Sequence, residues 1–194
     1  VTFTETASAV SFFWLINKHM TALTRTPQNT NFLQPTKFTL SIDRIGTSQY
    51  FCQSANIPGI NLGSAPLSYP GLDVTAPGNK IMYNQFNIRF LVDEKLQSWQ
   101  DLHNWFRSIA APTGTDERNR LTAIQNSTKG TKSPYSDGML TILSSLNNPI
   151  LRVQFYNLYP INLSDVVFDT TMSAEDTITA DATFMFDYFD FQPL

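Results

Sequence analysis

The sequence predicts a mainly β protein with one helix, an antiparallel sandwich or barrel flanked by that helix. Two observations carry this expectation. Apolar and polar residues alternate with period two in several separate runs, and only residues 96–110 carry apolar side chains at helical spacing together with start and stop signals. Alternation of period two places one face of a strand in a core and the other in water. Several such runs separated by turn residues favour an antiparallel architecture.

The elements follow in order. From Lys37, Phe38, Leu40 and Ile42 alternate with Thr39, Ser41 and Asp43, a half-buried strand that Gly46-Thr47 turns. Gln49–Ile57 reads as a second strand, ended by Pro58-Gly59. Residues 60–80 hold Pro66, Pro70, Pro77, Gly63, Gly71 and Gly78, and read as a long loop or irregular hairpin. Ile81–Val92 is the clearest strand, with Phe86, Ile88, Phe90 and Val92 on one face and Asn87, Arg89 and Asp93 on the other.

Ser98-Trp99-Gln100-Asp101 fits a capping box and should open the helix. Trp99, Leu102, Phe106 and Ile109 form its apolar face, Trp105 lies on the flank, and Pro112 and Gly114 stop it. Residues 111–137 lack hydrophobic periodicity and read as a mobile loop. Met139–Leu146 and Ile150–Tyr156 are strands joined by the turn signal Asn147-Asn148-Pro149. A short strand is expected around Val166–Phe168. The last, 177–189, sets Ile178, Ala180, Ala182, Phe184, Phe186 and Tyr188 against Thr177, Thr179, Asp181, Thr183, Met185 and Asp187.

Residues 1–35 form an N-terminal arm ahead of a β domain at 36–194. Phe12-Phe13-Trp14-Leu15-Ile16 is apolar on all sides and is followed by the polar stretch Thr24–Pro35. Such a plug fits docking on another subunit or folding back on its own core. Five apolar residues are far short of the roughly 20 that cross a bilayer, so no membrane role is expected.

Of the 194 residues, 42% are hydrophobic, enough for a real core, and only 15% are charged. A charge-poor surface suits a protein covered by neighbours, and equally a Thr/Ser-rich β exterior. A net charge of −3 argues against gripping nucleic acid by its phosphates. A single cysteine, Cys52, and no signal peptide point to folding in a reducing compartment.

No catalytic, metal or cofactor constellation is evident. His19 and His103 lack partners at ligand spacing, Cys52 has no activating neighbour, and no phosphate-binding glycine loop or nucleophile elbow occurs. A non-enzymatic, structural protein is therefore expected, without cofactors. A small-molecule-binding β-barrel is the rival reading and requires an apolar cavity in a monomer.

Beyond Arg152 the chain has no Lys or Arg, whereas Asp165, Asp169, Glu175, Asp176, Asp181, Asp187 and Asp190 are acidic. On the last strand Thr179, Asp181, Thr183 and Asp187 share a hydroxyl-rich, weakly acidic face. It suits a wall that lets DNA slide past without sticking, and equally a plain solvated face.

The order of these signals resembles the tail tube proteins of long-tailed bacteriophages. The resemblance rests on Pro35-Thr36-Lys37-Phe38 opening the first strand and on Phe86–Val92 followed by Asp93-Glu94 and the helix with Trp99 and Trp105. It continues in Phe155-Tyr156-Asn157-Leu158-Tyr159-Pro160-Ile161-Asn162-Leu163 and the final alternating strand, and so covers roughly 35–194. Type VI secretion tubes and baseplate tube initiators are related folds.

The resemblance implies a virion tail component, assembled in the host cytoplasm, whose rings (six-fold by family) stack on one another around a DNA channel. Sheath, tape measure, baseplate or neck proteins would be its partners. Tube body is the leading position, with baseplate tube initiator or neck tube terminator as alternatives. Phe12, Phe13 and Trp14 of the arm and Leu67, Tyr69 and Leu72 of 60–80 are expected between subunits. Thr179, Asp181, Thr183 and Asp187 are expected to face the channel, with Arg89 paired to an acid if it also lines it.

Overall fold

The computed structural model describes residues 31–46, 51–118, 134–171, 173 and 176–194. The chain divides into two units, Val1–Leu33 and Gln34–Leu194, and the fold below is that of the second. Phe12, Phe13 and Trp14 of the expected arm lie outside the described residues.

Nine strands are described: β1 (Phe38–Ile42), β2 (Cys52–Ala55), β3 (Ile60–Tyr69), β4 (Leu72–Tyr83), β5 (Phe86–Leu91), β6 (Ser136–Leu143), β7 (Pro149–Leu163), β8 (Thr179–Met185) and β9 (Tyr188–Pro193). One long helix, α1 (Gln97–Ala110), joins β5 to the second half. The main sheet runs β1-β6-β7-β8-β5-β2 with β9 also on β7, and each of its pairings is antiparallel. Separate from it, β3 and β4 form a two-stranded sheet.

β7 organises the main sheet. Its first part pairs with β6 and β9, and its last residues pair with β8. Asn157 marks the corner, with φ 56 and an N–H that donates to Asp137 Oδ1 at 3.3 Å. The ends of the strand path, β1 and β2, approach each other, so the sheet curls into a barrel-like sandwich. Phe86 of β5 and Phe155 of β7 belong to non-neighbouring strands, yet their ring centroids are 4.6 Å apart across the interior. Leu40, Ile42, Leu140, Ile142, Val153, Ile88, Phe90, Ala180, Ala182 and Phe184 complete the wall of the core. The alternation in β1, β5 and β8 therefore places the residues that periodicity assigned to it.

Several expectations need correction. Ile81–Val92 is not one strand: residues 81–83 belong to β4, and the ladder breaks at Asn84-Gln85. Side-chain amides supply the reason. Asn56 Nδ2 donates to Gln85 O at 3.2 Å, and Asn56 Oδ1 accepts the Asn87 N–H at 2.6 Å. The last strand breaks at Phe186-Asp187, although β8 and β9 keep one register along β7 (Met185 opposite Tyr159, Tyr188 opposite Tyr156). Val166–Phe168 is not a strand; it lies in a loop where Val167 and Phe168 are exposed. β6 begins at Ser136, ahead of the expected Met139, and β7 continues through Pro160 to Leu163.

The helix also starts differently. Leu96 occupies the N-cap position with φ 56 and no side-chain cap. Asp93 serves instead: its Oδ1 accepts both the Ser98 N–H and the Ser98 hydroxyl, each at 3.0 Å. The buried face centres on Leu102 and Trp105, with Ser98 and Ser108 alongside, so Trp105 is core and not flank. Its indole donates to Pro134 O at 3.0 Å while Trp99 donates to Ser164 O at 3.2 Å, tying the helix to two distant loops.

Within the expected mobile loop, residues 115–118 are helical. The Glu117 carboxylate accepts from the Arg107 guanidinium and, at 3.3 Å, from the Thr113 N–H. Acidic groups near a helix start favour the free N–H groups there.

Candidate functional site

Residues 60–80 are the largest departure from a plain barrel. β3 and β4 have 10 and 12 residues, so the hairpin reaches roughly 30 Å at about 3.3 Å per residue. Its turn, Tyr69-Pro70-Gly71-Leu72, places Gly71 at φ 88, as the third position of a type II turn requires. A backbone crossing below the tip also needs glycine, because a Cβ on Gly78 would lie 2.4 Å from the Gly63 carbonyl oxygen.

In the outer half, Ala65 pairs with Ala76, Leu67 with Val74 and Tyr69 with Leu72. These positions share one face and are apolar; Pro66, Thr75, Ser68 and Asp73 take the other. Leu67 is 48% exposed and Leu72 68%, and Val74 is open to solvent as well. Nearer the root, Ile60, Leu62, Ile81 and Met82 are also exposed. A lone two-stranded ribbon is marginal in water, and an apolar one invites cover. This arrangement fits contact with another molecule.

A second surface is the outer face of the sheet half made by β2, β5, β8 and the end of β7. Thr183 lies between Asn162 and Asn87 across three strands, and Asp181 lies opposite Arg89. Arg89 Nε donates to Asp181 Oδ1 at 2.7 Å, and Nη2 donates to Oδ2 at 3.0 Å. That two-bond fork holds the Asp181 carboxyl below the usual carboxylate range and raises Arg89.

Of the four expected channel residues, Thr179, Asp181 and Thr183 share this face on β8. Asp187 does not join them. It falls in the break before β9, where its Oδ2 accepts from Asn157 Nδ2 at 2.6 Å. Leu67 and Leu72 are exposed near the hairpin tip, and Tyr69 stands at the ladder position opposite Leu72. An acidic partner for Arg89 was expected if it lined the channel, but that the partner is Asp181 was not legible, because sequence alternation shows a face but not the register between strands.

His103 stacks on Trp99 with ring centroids 5.2 Å apart. Burial pushes the Cys52 thiol up to about 11, which leaves little thiolate at neutral pH. Among the described residues no group of His, Cys, Asp and Glu could hold a metal, and no helix is long and apolar enough to cross a membrane. The space beside Ile45, Cys52, Ile88, Phe90 and Leu102 is about 10 Å³, whereas ligand pockets run to about 300 Å³ or more. A larger, open hollow of about 650 Å³ lies at the surface, lined by Val167, Phe168, Ile178 and Asp181 among others.

Residues 28–192 match the family model of phage tail tube proteins. The chain is 29% identical over 165 residues to the tail tube terminator protein of Enterobacteria phage T4, covering 82% of this chain and 88% of that protein. In fold it is similar to the tube terminating cap of the anti-feeding prophage, with a TM-score of 0.57 and 16% identity over 90% of this chain and 100% of that one. It is also similar to the PVC sheath/tube terminator of an extracellular contractile injection system, with a TM-score of 0.53 and 16% identity over 84% and 99% of the two chains.

Proposed function

The chain belongs to the phage tail tube protein family, and from that premise we propose that it is a structural ring-forming protein that closes the end of a tail tube. Two supports differ in kind. The exposed apolar face of the β3–β4 hairpin, with Leu67 and Leu72, carries the assembly reading. The end position rests on similarity to the T4 protein named a tail tube terminator.

In this reading the sheet edges at β1 and β2 lie beside neighbouring subunits in a closed ring, six-fold by family, and so are not left open to aggregation. The hairpin reaches along the axis to the adjoining ring. The arm, with Phe12, Phe13 and Trp14, engages a neighbouring subunit or another tail protein. The face carrying Thr179, Asp181 and Thr183 lines the channel through which DNA passes. Its role is to form a wall, without a catalytic step.

A tube-body subunit is the second reading, favoured by the family model itself. Purified full-length chain, imaged alone and after addition to growing tubes, separates the two. A terminator forms rings, stops elongation and sits at tube ends. Long tubes built from this chain alone would make it a body subunit, and a chain that neither forms rings nor binds tubes would overturn both.

A further inference from the structure

We propose that Asp181 acts as an electrostatic mask on Arg89, so that the outer face of the β2-β5-β8 sheet offers no free cation to a polyanion moving past it. The inference deepens the channel reading and rests on it only for where the face lies. In β2, β5, β8 and residues 159–163 of β7, Arg89 and Asp181 are the only charged residues. They stand directly opposite each other across the β5–β8 ladder, and both donor–acceptor pairs of the fork are formed.

The acid is held in place from behind. The Asp181 N–H donates to Ser164 Oγ at 2.9 Å, and its carbonyl accepts the Ser164 N–H at 2.8 Å. Around the pair, Ser54, Asn87, Asn162, Thr179 and Thr183 present amides and hydroxyls, which bind phosphate weakly compared with a guanidinium, and Leu91 adds an apolar side chain.

The consequence is asymmetric. Arg89 is about half exposed even within the fork, and without Asp181 it would pair with phosphate through the donors it now spends on that carboxylate. Phosphate pairing releases counterions, and each such contact adds about 0.9 to the slope of log affinity against log salt on duplex DNA. A closed ring repeats the freed guanidinium at one height of the channel, which multiplies the drag on passing DNA. Removing the acid should therefore do more than shift the net charge by one.

The test uses the full-length chain and a fluorescent DNA duplex, read by anisotropy over a range of salt. Asp181→Asn should bind at least roughly tenfold more tightly at low salt than the parent, about the strength of one charge-assisted hydrogen bond. Its gain should fall steeply as salt rises. Asp190→Asn changes net charge equally but lies on β9, and should show no gain. Arg89→Gln combined with Asp181→Asn should return to the parent value. Asp181→Thr serves as the second variant if asparagine disturbs the sheet.

Equal binding by Asp181→Asn and Asp190→Asn would overturn the mask. Imaging separates the two inferences: if Asp181→Asn rings gain DNA affinity yet pass DNA at the parent rate, the mask stands and the channel placement of this face falls.

Discussion

Phe155 has no exposed surface, and its ring lies 4.6 Å from Phe86, 5.2 Å from Phe186 and 5.8 Å from Phe189. Phe155→Ala removes an aromatic from the centre of a packed cluster and should cost about 3–5 kcal/mol, read as a lower denaturant midpoint at unchanged m-value. The sequence places Phe155 in the strand Ile150–Tyr156 but does not mark it as core.

Asp93 was not legible in its role. The capping-box rule looks for an acceptor at the N-cap and an acid three residues on, whereas here the acceptor sits five residues before Ser98. The Ser98 N–H is the largest influence holding the Asp93 carboxyl below its ordinary range. A depressed folded value means that the stabilisation is present above the unfolded pKa and is lost as pH falls through the folded one. Asp93→Ala should therefore melt lower than the parent at neutral pH, and the two should converge in acid. A gap that persists in acid would mean that the carboxylate charge is not the source.

The β3–β4 hairpin settles which of two readings of residues 60–80 holds: it is the irregular hairpin, with a register shift between Leu62 and Ser64, and not a long loop. Three prolines and three glycines suggested irregularity, yet Pro70 and Gly71 build one tight turn, and Gly63 and Gly78 permit one close backbone crossing. The apolar alternation around the turn was readable in principle, but proline within a run argues against a central strand. A ribbon paired to no other strand escapes that objection.

Leu67 and Leu72 are expected to act on assembly and not on folding. Leu67→Ser and Leu72→Ser should each move monomer stability by no more than about 0.5 kcal/mol, as exposed positions do. If these side chains are buried between rings, each loss is about 1.5–3 kcal/mol, or roughly 10- to 150-fold in stacking affinity. Sedimentation velocity reads both variants. Unchanged stacking would remove the hairpin tip from the interface.

At the scale of the molecule, the mainly β architecture with a flanking helix was legible because it rests on period and on turn residues. What joins the halves was hidden. Asn157 in a left-handed conformation turns β7 from one sheet half to the other, and the break at Phe186-Asp187 lets β8 and β9 follow the same corner. Both are long-range features with no local signature.

The domain boundary is likewise a matter for experiment. A chain lacking residues 1–35 should keep the melting transition of the barrel and lose assembly, and failure to fold would place the arm in the core.

The most direct measurement is electron microscopy of the purified full-length chain at increasing concentration, with and without preformed tail tubes. Closed rings, with the β3–β4 hairpins projecting along the ring axis and the rings seated at tube ends, are the expected result. A chain that stays monomeric at high concentration and leaves tube ends bare would contradict it.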